Sequence, residues 1–188
     1  MTAQDRKTQI LDATILLLAE QGLDGVTHRA VDQRAGLPQG STSYYFSKKL
    51  PLLLAASEHL AGILEKDCDE LQVAFSDLVA KEGMDAAVRF VAEELVSFTD
   101  TSRHLFLARV ELTLASARRE DMAEVAARLT SAARRPLIFF LELISDQKSE
   151  GAVETCAGLI DGISLMYATG QGPKPTVDQI STVVRSVL

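Results

Sequence analysis

Apolar residues recur at three- and four-residue spacing along almost all of this 188-residue chain. No convincing strand alternation, with the period of two that a half-buried strand requires, appears. A chain patterned in this way buries its apolar surface by packing helices against helices. The predicted fold class is therefore all-α. Ala and Leu are abundant and hydrophobic residues make up 47 % of the chain, so helix formers are plentiful and a core can be built.

Glycines and capping residues cut this pattern into elements. Residues 4–21 read as a first helix with Ile10, Ala13, Leu17 and Leu18 on one face, stopped at Gly22. Thr27 is a natural N-cap for a second helix over 28–35, which Gly36 ends. Pro38 is expected in the first turn of a third helix that reaches about Tyr45. A long fourth helix starts near Lys48 or Lys49 and carries Leu52, Leu53, Leu60, Leu64 and Leu71 toward Val79. Gly83 breaks it. Further helices are expected over 84–99, 102–117, 120–145 (with a kink at Pro136), 152–169 and 176–187, with a loop over 170–175.

The most specific chemistry lies in residues 27–49, THRAVDQRAGLPQGSTSYYFSKK. Two short helices meet at a tight turn. The second carries a glutamine, hydroxyls and two tyrosines, and two lysines follow it. That is the layout of a helix-turn-helix that reads double-stranded DNA. Gln39 can pair with adenine at two points, Ser41, Thr42 and Ser43 can donate or accept, and the Thr42 methyl can meet a thymine methyl. Gly40 permits close backbone approach. Tyr44 and Tyr45 offer phenols to phosphate, while Phe46 is expected in the core. Thr27, His28 and Arg29 sit where the DNA backbone should cross, and Lys48 and Lys49 lie at the opening of the fourth helix, an anion site. The net charge of −7 does not oppose this reading. Residues 1–50 hold six Lys/Arg against five Asp/Glu, a net of +1, and the acidity belongs to residues 51–188.

The N-terminal fifty residues resemble the DNA-binding domain of the TetR family of bacterial transcriptional repressors. The resemblance is carried by Thr27, Ala35-Gly36, Leu37-Pro38, Gly40, Tyr44-Tyr45-Phe46, Lys49 and Leu52, in the family's order and spacing. It implies a DNA-binding domain over 1–47 and a helical ligand-binding and dimerisation domain over 48–188. It also implies a repressor that a small molecule releases from a palindromic operator by swinging the fourth helix. Three positions depart from the family pattern: Asp32 stands where a small Ala is usual, Ser43 where an aromatic is common, and Lys48 where a Ser often caps the fourth helix.

Two-fold operators are read by two-fold proteins, so a homodimer is expected. Its surface is placed on 137–144 and 152–169, whose helices are apolar on too many sides for solvent. Ile160 and Ile163, with Gly158 and Gly162, are expected at the contact. Candidates for an apolar effector pocket are Phe75, Phe90, Phe98, Phe106, Met122 and Tyr167, with Arg109 as a polar anchor. Neither a metal nor a cofactor is expected, because the three histidines are scattered and no glycine-rich phosphate loop occurs. Cys68 and Cys156 form no metal-spaced motif and read as buried thiols in a reducing cytoplasm. Residues 1–20 hold Asp5, Asp12 and Glu20, unlike a signal peptide, and no apolar run is long enough to span a membrane. A helical-bundle enzyme would need Glu-x-x-His ligand pairs, which are missing. A protein–protein adaptor that keeps the motif as scaffold is the alternative, and it would show no salt-dependent binding to a palindromic duplex.

Overall fold

Every residue with regular structure in the computed structural model is helical, among the residues it describes: 3–144 and 150–186, apart from the side chains at 67, 68, 137, 141–144, 150 and 153. The helices are α1 (Ala3–Gly25), α2 (His28–Arg34), α3 (Ser41–Tyr45), α4 (Lys49–Glu82), α5 (Met84–Thr101), α6 (Arg103–Ser116), α7 (Ala123–Ile144), α8 (Glu150–Ala168) and α9 (Val177–Arg185). A 3-10 turn, Glu120–Met122, precedes α7. The all-α expectation holds. Helix α1 continues beyond the expected stop, but Gly22 breaks its geometry with φ 67° and ψ −170°. The positive φ favours glycine there, and a Cβ would lie a tight 3.1 Å from Glu111 Oε1. Helix α3 is shorter than expected. Pro38 lies in the turn before it, and Gly40, at φ 94°, is its N-cap.

The helices form two compact units. The first runs up to Leu64 and includes His104–Ala132; the second comprises Glu65–Arg103 and the residues from Ala133 onward. Helices α4 and α7 contribute residues to both. This is a division by packing, and it differs from the functional boundary expected at 47/48. The first three helices bury little surface alone, and the first unit adds the opening turns of α4, all but the first residue of α6 and the start of α7. Its buried residues include the expected α1 set, Ile10, Ala13, Leu17 and Leu18, with Val31, Phe46, Leu52, Leu53, Leu60, Leu112 and Leu129. Asp12 and His59 pair at 2.7 Å between α1 and α4.

The second unit has its own core of Phe75, Ala87, Val88, Ala92, Phe140, Cys156, Ala157, Ile180 and Val184. The Phe75 and Phe140 rings meet edge to face at 4.6 Å. Burial pushes the Cys156 thiol up to about 11, which leaves it protonated and unreactive. Cys68 lies outside the described side chains. Helix α9 starts at Thr176, whose hydroxyl accepts the Gln179 amide at 3.1 Å, and it packs on α5 and α8. Asp100 accepts the Tyr167 hydroxyl at 2.6 Å and the Lys174 ammonium, tying the 170–175 loop to α5.

Candidate nucleic-acid interface

Thr27 caps α2 as expected. Its extended backbone ends the preceding turn, and its hydroxyl accepts the Ala30 amide at 3.1 Å. Helix α2 is then held to its neighbours by side chains that bond backbone groups. Gln9 of α1 donates to the Ala35 carbonyl at 2.6 Å, just past the end of α2. His28 Nε2 donates to the Phe46 carbonyl at 2.6 Å, at the end of α3. The Lys49 ammonium donates to the Leu23 carbonyl in the last turn of α1, and the Leu23 amide donates to Glu111 Oε1 of α6 at 2.7 Å.

Asp32 provides the densest of these links. It is 3 % exposed. Its Oδ2 accepts the Gly40 amide at 2.7 Å, and its Oδ1 accepts both the Thr42 amide at 2.7 Å and the Thr42 hydroxyl at 2.6 Å. Burial pushes the Asp32 carboxyl up. The Thr42 hydroxyl, the two amides and nearby His28 outweigh burial and hold it below the usual carboxylate range. The acid found where a small residue is usual is thus a cap for α3 supplied from α2.

This arrangement sorts the expected contact residues. Gln39, Gly40 and Tyr44 are exposed, Tyr44 at 84 %, and Tyr45 is half-buried with its ring edge-on to Tyr44 at 5.1 Å. Thr27, Arg29 and Lys48 are exposed, whereas His28, Ser41 and Lys49 are half-buried. The Ser41 hydroxyl donates to the Pro38 carbonyl at 2.6 Å. Thr42 corrects the sequence reading. It is fully buried, its hydroxyl is committed to Asp32, and its methyl is not available to a thymine. Ser43, exposed beside Tyr44, is the outward hydroxyl of the helix. The signal was present in the spacing: Thr42 lies four residues before Phe46, which is buried, and so shares its face. Gln39, Ser43 and Tyr44 then make a polar and aromatic outer face, flanked by Thr27, Arg29 and Lys48.

The expected effector residues fall in both compact units. Phe106, Arg109 and Met122 belong to the first; Phe75, Phe90, Phe98 and Tyr167 belong to the second. Phe75, Phe106 and Met122 are buried, and Phe90, Phe98 and Tyr167 are half-buried. The Arg109 guanidinium lies 5.1 Å from the Phe106 ring centre. An open groove between α5 and α9, of about 630 Å³, is lined by Asp85, Arg89, Asp178 and Arg185 among others and includes none of these residues.

Helix α8 has two distinct faces. Ile160 and Ile163 pack against the second unit's own core. Both are half-buried, so α8 is anchored to its own subunit partly through the side chains expected at the contact with another copy. The opposite face, Gly158, Leu159, Gly162, Leu165 and Met166, is exposed. Of the stretch 137–144, the side chains of 137 and 141–144 lie outside those described, and Ile138 is exposed.

Among the described residues no helix is long and apolar enough to cross a membrane. Residues 10–56 match the family described as Bacterial regulatory proteins, tetR family, and residues 82–188 match Tetracyclin repressor-like, C-terminal domain. The HTH-type transcriptional regulator BetI of Burkholderia ambifaria is 30 % identical over 176 residues, covering 91 % of this chain and 86 % of that protein. BetI of Paraburkholderia phymatum is 42 % identical over 55 residues, 29 % of this chain and 28 % of that protein. Among solved structures, the multidrug binding protein EbrR complexed with ethidium superposes with a TM-score of 0.68 at 22 % identity, over 100 % of both chains. A TetR-family member from Streptomyces coelicolor gives 0.67 at 23 % identity, over 98 % of each. At these identities the solved structures speak to the fold alone. The profile matches and the BetI relatives go further: the chain belongs to the TetR family and is a DNA-binding transcriptional regulator, not an enzyme.

Proposed function

We propose that the protein is a ligand-responsive repressor that binds a two-fold operator as a homodimer, with one α3 in each half-site. The outward face of Gln39, Ser43 and Tyr44 carries this reading, because these side chains have the shape and hydrogen-bonding capacity for base edges and phosphates. Thr27, Arg29 and Lys48 flank them as backbone contacts. The exposed apolar stripe of α8 supports the homodimer, since Leu159 and Met166 are open to solvent and a Cβ added at Gly158 or Gly162 would meet nothing within 4 Å. The effector is a small molecule held in the C-terminal part, a reading favoured by the fold shared with a protein solved with ethidium, and the apolar side chains of that part favour an apolar one. The site of action is the bacterial cytoplasm. Release requires the effector to prefer the conformer with the wrong half-site spacing, since equal affinity for both conformers shifts nothing.

Selection of bound duplexes from a randomised pool tests the reading. The expected product is a palindrome bound with strong salt dependence; recovery of no preferred sequence would overturn it. Gln39→Ala is expected to relax preference at one base step by roughly 1–3 kcal/mol, read from repeated selection with the variant. Lys48→Ala is expected to weaken binding to every duplex alike and to lower the slope of log affinity against log salt by about one unit. Lys49, committed to the Leu23 carbonyl, is expected to change that slope less.

A further inference from the structure

We propose that Asp32 is the positioning residue of the reading helix, so that base discrimination, and not overall attraction to DNA, depends on its carboxylate. This rests on α3 being the element that reads bases. Helix α3 has five residues, and its N-cap, Gly40, has no side chain to cap it. One turn of helix does not hold a direction by itself. Both Asp32 oxygens bond to α3 and the residue before it, through Gly40 and Thr42, and these flank the outward Gln39, Ser43 and Tyr44. The carboxylate also takes amides that a phosphate would otherwise attract, and it places negative charge behind the DNA-facing surface. The flanking backbone contacts, Thr27, Arg29 and Lys48, do not depend on this link, because Asp32 bonds Gly40 and Thr42.

A distinct signature follows. Asp32→Asn keeps the volume but offers one acceptor oxygen where two were used, and it removes the charge. Affinity for the palindrome recovered by the unaltered protein is expected to fall at least about tenfold, the loss of one or more charge-assisted hydrogen bonds. Affinity for a scrambled duplex of equal length is expected to hold or rise, with an unchanged salt slope. A folding defect would lower both together. The experiment measures both affinities by fluorescence anisotropy on the full chain. A constant ratio of the two, or an equal fall in both, overturns the inference. Should Asp32→Asn fail to fold, Thr42→Val and Thr42→Ser decide the matter. The valine variant removes only the hydroxyl bond and is expected to lose discrimination by a few fold. The serine variant, which keeps that hydroxyl, is expected to restore it. Valine behaving as the unaltered protein overturns the inference. Failure of the unaltered protein to select any sequence would instead remove α3 as the reading element, and this inference with it.

Discussion

Replacement of Leu159 and Met166 together by glutamate is expected to yield a folded monomer that has lost most of its operator affinity. These side chains are 47 % and 52 % exposed, so charging them costs the isolated subunit little. They stand one heptad apart on the open face of α8, beside Gly158 and Gly162, where a second helix backbone can approach closely. Two like charges on each copy would repel across a two-fold axis and leave carboxylates buried against apolar surface. A monomer engages one half-site, so the benefit of linking two is lost. The expected fall in operator affinity is roughly 10²–10⁴-fold. Sedimentation velocity checks the assembly, and a variant that still sediments as a dimer would place the interface elsewhere. Ile160→Glu provides the contrast. That side chain packs on the subunit's own core, and the expected result is unfolding, not clean dissociation.

Phe75→Ala is expected to destabilise the second unit by about 3–5 kcal/mol, measured by chemical denaturation. Phe75 is 2 % exposed, and its ring meets Phe140 edge to face. Truncation removes that contact and leaves a cavity between side chains from α4 and α7. The result also bears on function, because Phe75 is one of the residues expected to line an effector pocket. A side chain bordering an open pocket loses fewer neighbours on truncation. A cost under about 1 kcal/mol would therefore identify Phe75 as pocket wall, whereas the full cost identifies it as packing.

Helix boundaries were largely legible because they are written in local chemistry. Thr27 and Thr176 cap α2 and α9 with their own hydroxyls, and Gly83 precedes α5 with a positive φ. The buried face of α1 followed from spacing alone. The site was legible only in part. Gln39 and Tyr44 were expected on the outside and lie there, but the same reading placed Thr42 with them. Which side of a one-turn helix faces inward depends on what stands behind it, and behind α3 stands a carboxylate ten residues earlier in the chain. Lys49 shows the same limit. Two adjacent lysines look alike in sequence, yet Lys48 is exposed and Lys49 is bonded to the carbonyl of Leu23, 26 residues away.

By itself, then, the sequence determined the helical class, most helix ends and the motif that marks a DNA-binding regulator, since each depends on residues within a few positions of one another. Only the tertiary structure decided which hydroxyl of α3 points outward, which lysine is free of the protein's own backbone and which face of α8 is left uncovered. Those outcomes depend on partners distant in the chain, and a hydrogen-bond acceptor or an apolar neighbour acts through space, whatever its separation in sequence.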